Sequence, residues 1–377
     1  MKKAFTFVVL SALLISVLIP TFACGEACDG YKSIAVVLAD ENGNILSQKN
    51  PTEKRPIASM TKIMTLLCIY DAVKQGKISL SDDVTASERA ASMGGSQVFL
   101  DANSVYKADE LIKSIIVCSA NDSCVAMAEH IGGSVENFVS CMNARASELG
   151  LVATHFENCT GLPAVSQYSC AADVAKMFSE LIRNEQYFSC AGIWMQDFVH
   201  PSGRVTGMTN TNKLVRFYDG CDGGKTGYTC EAKHCLAATA KRGNTRVIAV
   251  VIGAPDSKTR FAEVSSLFNY GFANYENKCY FNPDSAIERL PVRGGKQSFL
   301  SVVAGGSLNV FAHKGNSANY TVELNLPDCI SAPIEKGQKV GEAALVDENG
   351  NIVKTVDVVA TESISQKSLW DYIRDAM

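Results

Sequence analysis

A serine and a lysine stand three positions apart in Ser59-Met60-Thr61-Lys62, where a helical pattern of apolar residues begins and runs to Gly76. Because residues i and i+3 share one face of a helix, the Lys62 amine can reach the Ser59 hydroxyl. A neutral lysine can take the proton that otherwise keeps serine from acting as a nucleophile. Backbone N–H groups at the helix N-terminus favour the negative charge that then develops. The spacing therefore predicts acyl transfer through Ser59.

Two further segments carry groups that suit the same chemistry. Ser119-Ala120-Asn121 lies between two helical patterns, where the hydroxyl could relay a proton and the amide could hold a substrate carbonyl. Lys225-Thr226-Gly227 opens a predicted edge strand, where the glycine leaves room for an extended substrate and the cation and hydroxyl could bind a carboxylate. Taken singly, Ser119 could be a helix cap and the lysine triplet a surface turn. A second Ser-x-x-Lys, Ser104–Lys107, lies in a polar stretch.

Strands at both ends of the catalytic region enclose a helical region. Residues 33–39 and the segment beginning at Ile45 predict a hairpin around an Asn-Gly turn. The later elements are a helical region at 108–190, strands at 236–240 and 246–253, and a helix near 260–270. This order predicts a mixed sheet packed against a helical cluster, an α/β (α+β) fold.

The order Ser-x-x-Lys, Ser-x-Asn, Lys-Thr-Gly resembles that of penicillin-binding proteins and serine β-lactamases. The surrounding sequence is similar to low-molecular-weight D-alanyl-D-alanine carboxypeptidases. The segments that carry this similarity are Pro56–Lys62, Ser119–Asp122, Thr211–Leu214, Gly224–Thr229, Val250–Ala254 and Arg260-Phe261. The resemblance covers nearly the whole chain after its first residues. It implies a penicillin-binding/β-lactamase-like transpeptidase domain followed by a small all-β domain.

The resemblance also implies a role for each matching residue. Ser59 is expected to attack the D-Ala-D-Ala carbonyl of peptidoglycan stem peptides, and Lys62 to take its proton. Ser119 and Lys225 are expected to pass a proton to the departing D-alanine. The other expected substrate contacts are Asn121, Thr226, Gly227 and Arg260, with the Ser59 and Tyr228 N–H groups as the oxyanion hole. We also expect the nearby Lys225 charge to lower the proton affinity of Lys62.

No cofactor and no metal enter this chemistry. The resemblance implies that β-lactam antibiotics act as covalent inhibitors. The 377 residues are 47% hydrophobic and 20% charged, with a formal net charge of -4 and no continuous basic tract. The sequence therefore does not support nucleic acid as a partner.

The two ends of the chain differ from the catalytic region. Residues 1–23 combine a basic head, an apolar run and small residues, which predicts a signal peptide and export to the cell wall, the outer face of the cytoplasmic membrane or the medium. Lipidation of Cys24 stays an alternative. The predicted units are a catalytic domain at 24–283, a small β domain at 284–360, and a tail at 361–377 that is a candidate amphipathic anchor for weak membrane association.

The chain has fourteen cysteines, an even number that would suit disulfides in an exported protein. Their spacing is irregular, however, and positions such as Cys68, Cys141 and Cys235 suit a small apolar residue. This favours mostly free thiols. A zinc site at Cys230, His234 and Cys235 is an alternative, without any Cys-x-x-Cys pair to support it.

Other functions share parts of the pattern. A serine β-lactamase has the same three segments, and Glu180–Asn184 contains a glutamate and an asparagine four residues apart, as a deacylating site in one large class requires. Endopeptidase action on cross-links and an inactive cell-wall sensor are further alternatives. Two segments, Asn158–Leu162 and Ala232-Lys233, differ from what many D-alanyl-D-alanine carboxypeptidases carry. Neither difference replaces a proposed catalytic residue.

Overall fold

The structure is a computed structural model that describes Cys28 and residues 30–283, 286–316 and 318–375. The predicted signal peptide and Cys24 lie outside the described residues. A sheet packed with helices forms the first part of the molecule, and a part built almost entirely of strands follows. The predicted fold class is thereby confirmed.

The first part contains the elements that position the candidate site. Its strands are β1 (Ala35–Asp40), β2 (Ile45–Lys49), β3 (Asp83–Thr85), β4 (Val105–Lys107), β5 (Met195–Val199), β6 (Val205–Thr209), β7 (Cys221–Thr229), β8 (Lys233–Arg242) and β9 (Thr245–Ala254). Its helices are α1 (Lys62–Lys74), α2 (Glu88–Ala91), α3 (Ala108–Val117), α4 (Asn121–Gly132), α5 (Val135–Glu148), α6 (Ala171–Leu181), α7 (Glu185–Ala191), α8 (Leu214–Phe217) and α9 (Ser257–Asn274). A 3-10 helix at Ala58–Thr61 directly precedes α1.

Five strands form the main sheet, in the order β2-β1-β9-β8-β7. Each neighbouring pair is antiparallel, although the sequence predicted a mixed sheet. Short turns impose this direction on three of the pairs, because they join β1 to β2, β7 to β8 and β8 to β9. The fourth pair, β1 with β9, is antiparallel as well. Val37 and Ile252 face the core under the helical cluster, whereas Val36 and Val251 face the core under α9. Both faces are covered, so β1 and β9 are continuous apolar runs.

Helix α1 lies at the centre of the helical cluster. Ten of its 13 residues are buried, and it contacts α4, α5 and α6. A helix with apolar residues all round must be enclosed by other elements. This enclosure fixes the direction of α1, and the 3-10 helix at its N-terminal end contacts β7, the edge strand of the sheet.

The second part has its own core. Its elements are β10 (Tyr275–Phe281), β11 (Ala286–Arg293), β12 (Phe299–Ala304), β13 (Leu308–His313), β14 (Tyr320–Asn325), β15 (Ile330–Ser331), β16 (Lys339–Asp347), β17 (Ile352–Ala360) and the helix α10 (Leu369–Asp375). Six strands form a sheet in the order β14-β16-β17-β12-β11-β15, and β10 pairs with β13. Ile364, beyond the last strand, is buried and bridges to Ile334.

The cysteines of the first part differ in exposure. Cys68 and Cys235 are buried in the core, as their sequence context predicted, whereas Cys141 is exposed on α5. No disulfide joins two cysteines of the described part of the chain. Within residues 30–283, 286–316 and 318–375, no helix combines the length and apolar character that a membrane crossing requires.

Candidate active site

Ser59 lies in the 3-10 helix, at a turn that two glycines approach closely. The preceding Ala58 has a left-handed φ of 47°. Such a backbone conformation costs about 1–3 kcal/mol in a residue other than glycine and clusters at functional sites. A Cβ added to Gly161 would lie 2.8 Å from the Ser59 nitrogen, and one added to Gly227 would lie 3.2 Å from it. Both positions therefore need glycine, which lets the loop of residues 158–162 and strand β7 pack against Ser59.

Lys62 lies one turn further along and is fully buried. Its Nζ is 3.1 Å from Ser59 Oγ, as the i and i+3 spacing predicted, and it donates to Asn121 Oδ1 and to the Thr160 carbonyl, each at 2.6 Å. Burial lowers the pKa of the Lys62 amine, because the low-dielectric interior disfavours the charged form. The structure thus favours the neutral amine that a general base requires.

A second buried lysine faces the same space. Lys225 Nζ donates to Ser119 Oγ at 2.8 Å and to the Thr226 carbonyl at 3.1 Å. Burial lowers the pKa of Lys225 well below its ordinary value of 10.5, and repulsion from Lys62 lowers it further. We expected this repulsion to act on Lys62, but the leading cause of the lowered Lys62 pKa is burial. Ser119 itself has a left-handed φ of 67°.

Asn121 links the Lys62 amine to the backbone at Gly94. It begins α4 and is 3% exposed. Its Nδ2 donates to the Gly94 carbonyl at 2.7 Å, which turns Oδ1 toward Lys62. The structure therefore brings Ser59, Lys62, Ser119, Asn121 and Lys225 together, from three separate regions of the sequence. This arrangement can activate a hydroxyl nucleophile and hold a second hydroxyl beside a second amine.

The remaining predicted residues lie on β7 and at the start of α9. Thr226 is mostly buried, whereas Tyr228 is 58% exposed and packs its ring 4.5 Å from that of His234. Arg260 is buried and its Nη1 donates to the carbonyls of Gly227 and Cys235, each at 3.2 Å.

Arg260 therefore spans β7 and β8 behind the Lys-Thr-Gly segment. Burial lowers its pKa to about 10. Its Nε is buried without a hydrogen-bond partner among the described residues.

The 158–162 loop is the part of the site that the sequence did not predict. The Thr160 carbonyl accepts a hydrogen bond from Lys62, and Gly161 adopts a left-handed φ of 82° against Ser59. A backbone carbonyl leaves no mark on residue type, so spacing alone could not find this contact. The glycine in Asn158–Leu162 was the available signal.

The competing motifs do not form sites. Lys107 Nζ pairs with Asp83 at 2.6 Å, and both exposed side chains lie on the two-stranded sheet of β3 and β4. Glu180 pairs with Arg183 at 3.0 Å and lines a groove with Asp71 at the C-terminal end of α1. At 1.5 Å per helical residue, that end lies roughly 15–20 Å from Ser59. Glu180 is therefore not placed to act as the base of a β-lactamase.

The zinc alternative also lacks support. Cys235 is buried and its Sγ donates to the Ala232 carbonyl at 3.3 Å, while Cys230 is exposed. Among the residues that the structure describes, no three His, Cys, Asp or Glu side chains are grouped closely enough to hold a metal ion.

Known proteins match this chain along nearly its whole length. The family model of D-alanyl-D-alanine carboxypeptidase, peptidase family S11, matches residues 26–256, and that of the penicillin-binding protein 5 C-terminal domain matches residues 275–366. D-alanyl-D-alanine carboxypeptidase DacF of Bacillus subtilis is 40% identical over 380 residues, which cover 98% of this chain and 97% of that protein. DacC of Escherichia coli is 32% identical over 350 residues, covering 88% and 85%.

A solved structure is similar as well. The crystal structure of penicillin-binding protein 5 from Haemophilus influenzae aligns with a TM-score of 0.66 at 32% identity, over 89% of this chain and 98% of that one. The similarity thus extends through both parts of the molecule.

Proposed function

Because the chain belongs to the D-alanyl-D-alanine carboxypeptidase family of serine peptidases, we propose that Ser59 is the nucleophile of its acyl-enzyme mechanism. The observation that carries this assignment is the 3.1 Å contact between Ser59 Oγ and the buried Lys62 amine. Ser59 is partly exposed while Lys62 is not. A substrate carbonyl can therefore reach the hydroxyl without exposing the base to water.

The acylation step follows from the two lysines. Neutral Lys62 takes the Ser59 proton as Oγ attacks the D-Ala-D-Ala carbonyl, and the N–H groups of Ser59 and Tyr228 stabilise the oxyanion. The departing D-alanine nitrogen takes a proton from the Ser119 hydroxyl, and Lys225 replaces that proton. Burial and the nearby Lys62 make Lys225 a ready proton donor. Water then hydrolyses the ester and frees Ser59.

Substrate binding uses the free edge of β7. An extended stem peptide can align with this edge strand, where Gly227 leaves room for its backbone. Asn121 holds the substrate amide, and Thr226 with Arg260 binds the terminal carboxylate. A carboxylate calls for a fixed cation, and guanidinium suits it by geometry.

The wider assignments rest on the same family membership. We assign peptidoglycan stem peptides ending in D-Ala-D-Ala as substrates, β-lactams as covalent inhibitors, and an exported location at the cell wall. The catalytic domain at 24–283, the β domain at 284–360 and the tail at 361–377 remain predictions. Pairing of β10 with β13 supports a β domain that starts at Tyr275, and the buried Ile364 supports a tail that starts after it.

Penicillin tests the nucleophile directly. The β-lactam amide takes the place of the D-Ala-D-Ala bond, so Ser59 opens it and becomes acylated. Intact-mass spectrometry after benzylpenicillin treatment is expected to show one added drug mass that persists for minutes, because Glu180, the glutamate of the β-lactamase-like pair, lies at the far end of α1 from Ser59. The adduct maps to the peptide containing Ser59, disappears in Ser59→Ala and remains in Ser104→Ala. In a separate assay, D-alanine release from peptides is expected to continue in the presence of a metal chelator, because the proposed base is a lysine.

Two outcomes would contradict this proposal. An adduct on Ser104 would place the nucleophile in the other Ser-x-x-Lys segment. Fast multiple-turnover hydrolysis without any accumulated adduct would instead indicate a β-lactamase.

A further inference from the structure

The 158–162 loop meets α1 through two successive backbone carbonyls. Thr65 Oγ1 donates to the Cys159 carbonyl at 2.6 Å, and Lys62 Nζ donates to the Thr160 carbonyl at 2.6 Å. Lys62 and Thr65 are three residues apart and share one face of α1. The loop therefore lies along that face, and the direction of the Thr160 carbonyl depends on the shape of the loop.

One side chain determines that shape. Asn158 Oδ1 accepts from the Gly161 N–H at 2.7 Å and from both the N–H and the hydroxyl of Thr160, each at 3.1 Å. Its Nδ2 donates to the Leu162 carbonyl at 3.0 Å. Gln167 Oε1 in turn accepts from the Asn158 N–H at 3.0 Å. Asn158 thus hydrogen-bonds to Thr160, Gly161 and Leu162, and none of its hydrogen bonds within the described part of the chain is to Ser59 or Lys62.

The chemistry of an amine makes the Thr160 carbonyl important. A neutral lysine has two N–H donors and one lone pair. Asn121 Oδ1 and the Thr160 carbonyl, each 2.6 Å from Nζ, take both donors. The remaining neighbour is Ser59 Oγ at 3.1 Å. In the neutral amine the lone pair is left for this neighbour, so the Ser59 hydroxyl becomes the donor of that hydrogen bond. If the carbonyl turned away, an N–H could face Ser59 instead and the base would be misdirected.

Building on the proposed role of Lys62 as the base, we infer that Asn158 is a positioning residue for acylation. Its amide holds the Thr160 carbonyl toward Lys62, so that the Lys62 lone pair is directed at Ser59. Asn158 takes no part in the chemistry itself. Its loss leaves the base present but misoriented.

Misorientation and altered basicity differ in their dependence on pH. Acylation by wild-type protein rises with pH as Lys62 loses its proton, and burial places this rise below the ordinary lysine pKa of 10.5. An effect on basicity alone disappears once pH is high enough for Lys62 to be neutral. Misorientation persists on that alkaline plateau. The titratable groups that face Lys62 are Lys225 on β7, Asp122 and Cys124 on α4, Cys118 before it, and Cys159 in the loop.

The test measures the acylation rate of Ser59 by benzylpenicillin between pH 6 and 10, from the time course of intact mass. Asn158→Ala is expected to lower the plateau rate at least tenfold. Asn158→Asp keeps the Oδ1 acceptor and is expected to stay within threefold of wild type on the plateau. Asn143→Ala is the matched control, because Asn143 braces the same segment at Phe156, outside the site, with bonds of 2.8 and 2.9 Å. If Asn158→Ala does not fold, Asn158→Ser replaces it, since its hydroxyl is too short to reach Gly161.

The outcomes separate this inference from the proposed function. Equal plateau rates for Asn158→Ala and wild type, or a loss that vanishes at high pH, overturn the positioning role and leave Ser59 as the nucleophile. A loss as large in Asn143→Ala also overturns it, because the effect is then general to the segment. Absence of any Ser59 adduct in wild-type protein overturns both.

Discussion

At the scale of single residues, the site places two lysine amines in a region closed to water. A buried unpaired cation is costly, so the structure either supplies hydrogen-bond acceptors or favours the neutral form. Lys62 has acceptors from Asn121 and Thr160, and Lys225 has Ser119. These groups leave both amines able to exchange protons with a hydroxyl.

The residue contacts differ in how far the sequence predicted them. The Ser59–Lys62 contact follows from the i and i+3 spacing alone. Ser119 and Lys225 lie 106 positions apart, and only the resemblance to D-alanyl-D-alanine carboxypeptidases indicated that they meet. The Thr160 contact uses a backbone atom that every residue type carries, so no residue pattern could predict it.

Arg260 is expected to affect carboxylate recognition more than acylation itself. Removing one partner of a buried charged contact often costs about 2–5 kcal/mol. Arg260→Ala should therefore lower kcat/KM for peptides with a free terminal carboxylate by about tenfold or more, and acylation by a neutral thioester by less. Lys258→Ala is the control, because Lys258 is an exposed cation in the same first turn of α9. Equal kcat/KM for wild type and Arg260→Ala would remove Arg260 from the site.

At the scale of elements, the site is a contact between a helix start and an edge strand. The buried helix α1 fixes the 3-10 turn that carries Ser59, and β7 approaches that turn at Gly227. The sequence predicted α1 and β9 well, since both are long apolar segments. It did not predict the β5–β6 hairpin. Met195, Val199 and Val205 of this hairpin are exposed, so the two strands lack the apolar pattern of a buried strand.

Gly227→Ala is predicted to separate these two elements. A Cβ at this position would lie 2.5 Å from the Ile57 carbonyl, a backbone atom that cannot move without shifting the turn. We expect acylation by benzylpenicillin to slow at least about tenfold, with a small fall in melting temperature, since a strained contact typically costs about 1–3 kcal/mol. Gly192→Ala is the matched control, because a Cβ there meets no atom within 4 Å. Similar acylation rates for the two variants would contradict the close packing of β7 on Ser59.

At the scale of the whole molecule, the β domain adds a surface that the catalysis does not use. The short α10 exposes Leu369, Trp370, Tyr372 and Ile373 by 44% to 79%. The residues before it are held in the domain, because Ile364 is buried and the Thr361 hydroxyl donates to the Ser301 carbonyl. Deleting all of 361–377 would thus disturb the β domain as well as the helix. Substitution of the exposed side chains isolates the proposed membrane role.

The double variant Leu369→Ser/Trp370→Ser is expected to lose association with vesicles that contain anionic lipid, while turnover of soluble peptide stays unchanged. The apolar face is small, so wild-type binding should be weak and its loss about fivefold or more in co-sedimentation. Phe299→Ser is the matched control, because Phe299 is 56% exposed on the same domain but lies outside α10. If the double variant binds vesicles as wild type does, α10 is not an anchor. If wild-type protein itself does not bind, the enzyme acts without membrane association through this helix.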